Sequence, residues 1–138
     1  MYIFISIIII ILDQWSKKQA TIKLKGQGSL EGRWFIYRYV ENPGAAMGFL
    51  KKWPVLLKVF SLILMLALVF IWSTSEDLIM KDISFAFIIG GGFGNILDRF
   101  TKGFVVDFFS PKIKKLPYFN IADLFVISGC ILLVISEF

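Results

Sequence analysis

Histidine is absent from the 138-residue chain, and cysteine occurs once, as Cys130. Without histidine, catalysis by a serine–histidine or cysteine–histidine pair is excluded, and the commonest side-chain ligand of transition metals is missing. A single cysteine cannot form a disulfide within the chain, and in the apolar run 124–136 it is expected to be a small buried or lipid-facing side chain. We therefore expect no metal ion and no organic cofactor.

Charged residues are also scarce, at 18% of the chain, whereas apolar residues make up 57% and the mean hydropathy is +0.77. These values are too high for an ordinary soluble domain and indicate a membrane protein. The net charge of +5 is expected to meet anionic lipid headgroups, because no run of Lys and Arg is long enough to indicate nucleic-acid binding.

Four apolar segments predict an all-α membrane protein, with one membrane-embedded domain comprising residues 1–138. A helix needs about 20 mostly apolar residues to cross a hydrocarbon core of about 30 Å, and it satisfies its own backbone hydrogen bonds in lipid. The first segment has no preceding basic residue and no small-residue cleavage pattern after it, so we interpret it as a retained span. The four transmembrane helices are expected at about 1–16, 55–75, 78–98 and 117–137.

The first loop, 17–54, differs from the apolar segments in its pattern. RWFIYRYV at 33–40 is rich in aromatic and β-branched residues, which predicts a strand of a small sheet lying on the membrane surface. GFLKKWP at 48–54 mixes apolar and basic residues, which is typical of an interfacial segment.

Polar side chains converge on one face of the expected helical bundle. Four alternating spans place the ends of the first and third, and the starts of the second and fourth, on the same side of the membrane. Ionisable residues within spans indicate a functional site by default, and their concentration on one face strengthens that interpretation. The polar residues on this side are Asp13, Gln14, Lys17, Asn42, Asn95, Asp98, Arg99, Asp107, Asn120 and Asp123.

Carboxylates are the catalytic groups that remain. Two neighbouring carboxyl groups cannot both ionise easily, so one acts as an acid while the other acts as a base on water, as in aspartic proteases. Asp107 and Asp123 have apolar or amide neighbours and form the better pair, whereas Arg99 beside Asp98 favours a structural or substrate-orienting role for Asp98. From spacing alone, isolated polar residues that reach the membrane interface explain Asp107 and Asp123 equally well.

Two further patterns predict packing. Asp13 and Lys17 are four residues apart with the acid first, which predicts a structural ion pair on one helix. The glycines at 90–92 and Gly94 let helices or a substrate backbone approach closely. A phosphate-binding loop is the weaker interpretation of these glycines, because no GK[ST] follows them.

Four motifs, in order along the chain, resemble those of the lipoprotein signal peptidases, the type II signal peptidases of bacteria. They are DQWSKK (13–18), ENPGAAMGF (41–49), GGGFGNILDRFTKGFVVDFF (90–109) and FNIADLF (119–125). The resemblance implies an intramembrane aspartic endopeptidase that removes the signal peptide from diacylglyceryl-modified prolipoproteins, cleaving before the lipidated cysteine. It also implies four transmembrane helices, with a small extracytoplasmic β-sheet and an interfacial helix from the first loop.

The resemblance further implies roles for individual residues and partners. The implied catalytic pair is Asp107 and Asp123. The implied partners are lipid-modified prolipoproteins and membrane lipids, the protein is expected to be a monomer, and globomycin-type cyclic peptides are expected to inhibit it. The residues implied to bind substrate or support the pair are Asn42, Gly44, Asn95, Asp98, Arg99 and Asn120.

Loop charge and the family resemblance predict opposite orientations in the membrane. Residues 17–54 and 99–118 carry 8 and 5 Lys and Arg, against one in 73–82, so the positive-inside bias places the motif-bearing face in the cytoplasm. The resemblance implies a bacterial inner or cytoplasmic membrane, an active site at the extracytoplasmic face and both termini in the cytoplasm. We expect the second orientation, because the substrates of the family are exported proteins.

The rival hypothesis from another class is a small proton-coupled transporter with Asp123 as its proton site. Such a protein needs a polar path that reaches both faces, whereas the polar residues of this sequence stop at one. A structural four-span protein without activity is a third hypothesis, which the four ordered motifs disfavour.

Overall fold

The computed structural model describes residues 1–44, 52–74, 79–113 and 116–136. Within these ranges the chain forms four helices and three strands. The helices are α1 (Tyr2–Leu24), α2 (Pro54–Thr74), α3 (Ile79–Thr101) and α4 (Ile121–Ile135). The strands are β1 (Leu30–Glu31), β2 (Phe35–Asn42) and β3 (Val105–Pro111).

α3 is the central helix and contacts α1, α2 and α4. Its glycines allow the close approach. A Cβ atom at Gly91 would collide with the carbonyl oxygen of Ala122 and lie 2.9 Å from Val126 Cγ2, both on α4. A Cβ atom at Gly94 would lie 2.5 Å from Asp13 Oδ2 on α1. The interpretation of the glycine run as a helix-packing surface is therefore confirmed.

Gly91→Ala is expected to lower the free energy of unfolding by about 1–3 kcal/mol, the usual cost of overpacking against rigid neighbours. Gly92→Ala is the matched control, because its Cβ would meet only Met65 Cε, the end of a flexible side chain, at 2.7 Å. Thermal unfolding of both variants in detergent measures the difference. Equal midpoints would contradict the close packing of α3 on α4.

α2 has the clearest membrane character. Among the described residues it is the helix that is long and apolar enough to cross a membrane, and α4 is apolar but shorter. Only Leu57 and Met65 of α2 are buried, so its apolar surface is not explained as the core of a soluble protein. A helical fold is thus established in which, within the described part of the chain, one helix is suited to crossing a membrane.

Three helices differ in length from the expected spans, and α3 differs least, since it ends at Thr101 rather than near 98. α1 continues to Leu24 rather than ending near residue 16, because its packed face extends through Lys17 and Ala20. α4 begins at Ile121 rather than near 117, because Asn120 caps it. The interfacial segment predicted at 48–54 lies outside the described residues at 48–51, so neither it nor the interfacial helix implied for the first loop is tested.

The sheet is antiparallel with the strand order β1–β2–β3. β2 confirms the strand predicted from the aromatic stretch of the first loop. The expectation that the sheet comes from the first loop alone is wrong, because β3, expected to be a loop, pairs with β2 and places Asp107 opposite Val40. β3 forms because its apolar side chains are mostly buried and its β-branched and aromatic residues favour an extended backbone.

Candidate active site

Asp107 and Asp123 line one cavity of about 210 Å³. Asp107 lies on β3, and Asp123 lies in the first turn of α4. The structure thus brings together the two carboxylates that the sequence singled out. The cavity is also lined by the polar side chains of Asn42, Asn95 and Arg99, and by an apolar wall that includes Val105, Val126 and Ile127.

Asn120 connects the two carboxylates. Its Nδ2 donates to Asp107 Oδ1 at 2.8 Å, and its backbone N–H donates to Asp123 Oδ2 at 3.1 Å. Its Oδ1 accepts from the backbone N–H of Asp123 at 2.9 Å, which completes the capping box that begins α4. Because Asn120 is fully buried, this connection is shielded from water.

Two more asparagines hold the remaining carboxylate oxygens. Asn42 Nδ2 donates to Asp107 Oδ2 at 3.0 Å, and Asn95 Nδ2 donates to Asp123 Oδ1 at 2.9 Å. The backbone N–H of Gly44 donates to Asn42 Oδ1 at 3.0 Å and so orients the Asn42 amide. Each of the four carboxylate oxygens therefore accepts a hydrogen bond from an N–H group.

Asp107 lies outside the four helices and is only 3% exposed. Burial raises the pKa of Asp107 from its ordinary value to about 6. The hydrogen bonds from Asn42 and Asn120 lower this pKa, and the charge of Asp123 raises it. A carboxyl whose pKa lies close to neutral pH is suited to holding and releasing a proton during a reaction.

Arg99 lines the same cavity from α3. Its Nε is buried and has no hydrogen-bond partner among the described residues. A buried donor without a protein partner is rare in folded proteins and is open to a bond with water or a ligand. Arg99 is therefore placed where a substrate carbonyl could accept from it.

A buried ionic cluster, formed by Asp13, Lys17 and Asp98, lies behind the cavity. Lys17 Nζ is 2.7 Å from Asp13 Oδ2 and 3.2 Å from Asp98 Oδ2, and all three side chains are fully buried. The predicted ion pair of Asp13 with Lys17 is confirmed. Asp13 Oδ1 also accepts from the backbone N–H of Ala122 at 3.0 Å, so the cluster joins α1 to α3 and α4.

Asp98 belongs to this cluster and does not line the cavity. It accepts from the backbone N–H of Val106 at 3.2 Å and from Lys102 Nζ at 2.7 Å. It thereby connects α3 to the strand that carries Asp107. Its expected role in substrate binding remains a prediction, as do the other roles implied by the resemblance.

Gln14 and Lys102 were not given roles from the sequence. Gln14 Nε2 lies within hydrogen-bond distance of Asp13 Oδ2, Gly94 O and Asp98 Oδ1. The signal for Lys102 was present, because it follows Asp98 by four residues on one helix. Gln14 belongs to the polar residues that the sequence placed on the motif-bearing face, but its spacing did not predict these contacts, which depend on the packing of α1 on α3.

Comparison with known proteins identifies close relatives. A family model described as signal peptidase II matches residues 5–138. The lipoprotein signal peptidase of Clostridioides difficile is 37% identical over 142 residues, covering 98% of this chain and 93% of that protein. The lipoprotein signal peptidase of Gloeothece citriformis is 36% identical over 131 residues, covering 92% of this chain and 82% of that protein.

The fold also matches a solved structure. A protein described as a bacterial membrane enzyme superposes with a TM-score of 0.88 at 28% sequence identity. The match covers 99% of this chain and 91% of that one.

Proposed function

Because this chain belongs to the signal peptidase II family, a family of membrane peptidases, we propose that it is an intramembrane aspartic endopeptidase. Its substrates are diacylglyceryl-modified prolipoproteins, and it cleaves before the lipidated cysteine. The observation that carries the proposal is the pair Asp107 and Asp123 in one cavity, bridged by Asn120. This arrangement suits two carboxyl groups that share one proton.

The reaction requires one base and one acid. The ionised carboxylate takes a proton from water, and the resulting oxygen attacks the scissile carbonyl carbon. The protonated carboxyl gives its proton to the carbonyl oxygen, which yields a tetrahedral diol. As the C–N bond breaks, the carboxyl that took a proton from water passes it to the leaving amine, and the diol returns a proton to the other carboxylate, so that one water is consumed and one peptide bond is broken. No covalent intermediate with the protein is formed.

The substrate approaches from the side of α2. A second cavity, of about 230 Å³, lies between α2 and α3 and shares Asn95, Arg99 and Val126 with the cavity of the aspartates. Its wall is mostly apolar and suits the apolar signal segment or an acyl chain. The amides of Asn42 and Asn95 and the unpartnered Nε of Arg99 support hydrogen bonding to the substrate backbone beside the two aspartates.

All four helices cross the membrane in this proposal, and the chain acts as one domain and as a monomer. The sheet and the cavity face the extracytoplasmic side, and both termini face the cytoplasm. The likeness to a membrane enzyme over 99% of the chain and the exposed apolar surface of α2 support a membrane-embedded protein. The orientation follows from the export of the substrates.

The transporter hypothesis receives no support from the described residues. Toward the N-terminus of α1, the buried side chains beyond Asp13 are Ile9 and Ser6. Neither is a titratable group at neutral pH, so the described part of α1 offers no buried proton carrier toward the opposite face.

Incubation of the purified full-length protein in detergent with a diacylglyceryl-modified prolipoprotein is expected to yield the shortened lipoprotein on a gel. The unmodified prolipoprotein is the control and is expected to stay intact, and globomycin is expected to block cleavage. Lack of product from the lipidated substrate would refute the proposed function. Proton uptake driven by a pH gradient in vesicles, without cleavage, would favour the transporter instead.

A further inference from the structure

Lys17 is fully buried, and the proposed hydrolysis of the peptide bond assigns it no role. We propose that Lys17 is a positioning residue: its Nζ holds the carbonyl of Asn95 so that the Asn95 amide donates to Asp123 and keeps that carboxylate ionised as the base. The inference rests on the proposed function, and it assigns the shared proton to Asp107.

The ammonium group determines which way the Asn95 amide points. Lysine Nζ has only donors, so the Asn95 atom that it contacts at 2.9 Å must be the oxygen. The amide nitrogen is then forced to the other side, where it donates to Asp123 Oδ1 at 2.9 Å. With the amide turned over, its oxygen would face Asp123, and only a protonated carboxyl could satisfy that contact.

A second donor orients Asn120 in the same way. The backbone N–H of Asp123 can only donate, so the Asn120 atom that it contacts is Oδ1. Asn120 Nδ2 is therefore directed toward Asp107 Oδ1 at 2.8 Å and Asn95 Oδ1 at 3.1 Å. Both amides have one permitted orientation, and that of Asn95 is set by two donors to its Oδ1, the Lys17 ammonium at 2.9 Å and Asn120 Nδ2 at 3.1 Å.

The two aspartates differ in ways that favour an ionised Asp123. Asp123 occupies the third position of α4, where the positive end of the helix dipole and the backbone N–H of Asn120 stabilise an anion. Asp107 accepts from two neutral side-chain amides, those of Asn42 and Asn120. Burial raises the pKa of Asp107 to about 6, so Asp107 is protonated more easily than an ordinary aspartate.

Charged groups reach this site from several elements. α1 contributes Lys17 with its partner Asp13, α3 contributes Asp98 and Arg99, and β3 contributes Asp107. Of these two cations, Lys17 contacts the Asn95 amide, which donates to Asp123. Arg99 lines the cavity itself. Removal of Lys17 therefore acts on Asp123 through Asn95 as well as through charge.

The test compares Lys17→Met with Lys102→Met in the full-length protein. Both substitutions remove a lysine paired with Asp98, but Lys102 is partly exposed and lies on the outer side of the cluster. In Lys17→Met we expect kcat to fall by about 10-fold or more with little change in KM. In a plot of kcat against pH, we also expect the acidic limb of Lys17→Met to lie about one pH unit higher than that of the wild-type protein, because the base ionises less easily. The acidic limb of Lys102→Met is expected to coincide with that of the wild-type protein.

A loss of stability alone would reduce the fraction of enzyme that is folded and active, but it would leave the acidic limb of kcat against pH in place. If Lys17→Met does not fold, the double variant Asp13→Asn/Lys17→Met replaces it, because it removes one buried charge of each sign and keeps an oxygen for the N–H of Ala122. A limb that stays in place in the folded variant, or failure of both variants to fold, would overturn the proposal. Wild-type protein that cleaves no lipidated substrate would instead refute the proposed function.

Discussion

Asp123→Asn is expected to lower kcat for a diacylglyceryl-modified prolipoprotein by about 1,000-fold or more, and Asp107→Asn is expected to do the same. An amide can neither take a proton from water nor donate one to the leaving amine at neutral pH. The two carboxyl groups work on one proton, so the double variant is expected to be no slower than either single variant. The cleavage rates of the two single variants and the double variant are measured on a gel under single-turnover conditions, with saturating enzyme.

Asp82→Asn is the matched control for these substitutions. Asp82 lies at the other end of α3, where Trp72 Nε1 donates to Asp82 Oδ1 at 2.6 Å, and an asparagine oxygen can still accept from the indole. We expect full activity in this variant. Substrate binding and thermal unfolding show whether Asp107→Asn and Asp123→Asn remain folded. Sustained turnover in a purified, folded Asp123→Asn protein would defeat the aspartic mechanism.

Asp13→Ala is expected to lower the free energy of unfolding by about 3–5 kcal/mol, the usual cost of removing one partner of a buried ion pair. Lys17 loses its nearer carboxylate, at 2.7 Å, and the backbone N–H of Ala122 loses its acceptor. Asp13→Asn is expected to be less damaging, because it keeps the acceptor and loses only the charge. Chemical denaturation in detergent at neutral pH measures the free energy of unfolding of the wild-type protein, Asp13→Ala and Asp13→Asn.

Glu31→Ala is the control for an ion pair of the same length at the surface. Lys112 Nζ lies 2.7 Å from Glu31 Oε2, the same distance as Lys17 Nζ from Asp13 Oδ2, but both members of the Glu31–Lys112 pair are exposed to solvent. Solvent-exposed ion pairs add little to stability, so we expect Glu31→Ala to have almost the same free energy of unfolding as the wild-type protein. If Asp13→Ala and Glu31→Ala lowered the free energy of unfolding by similar amounts, the buried cluster would not be what holds α1, α3 and α4 together.

The candidate site was predictable in its members and less so in its connections. Asp107 and Asp123 stood out because they are carboxylates among apolar residues, although their spacing alone did not distinguish catalysis from an isolated polar residue. The four ordered motifs of the family resemblance favoured catalysis, and that role stays a prediction. The spacing of Asn120 and Asp123, three residues apart, also matches a capping box, which explains how α4 holds both side chains.

The strand that carries Asp107 was missed because a short strand depends on its partner. Residues 105–111 contain β-branched and aromatic side chains, but a single charge and a following Lys-rich stretch gave them the pattern of a loop. Their pairing with β2 joins segments from two different loops. A pairing of this kind is decided by the position of the helices that precede and follow each strand.

Apolar run length and residue chemistry are local properties, so the helical segments and the pair Asp107 and Asp123 could be predicted without coordinates. The contact of Lys17 with Asn95, 78 positions away, depends instead on how the helices pack. Glycines such as Gly91 and Gly94 let α3 approach α4 and α1 closely enough for buried donors to meet their acceptors. Chain spacing carries no information about which of those donors will face which carboxylate.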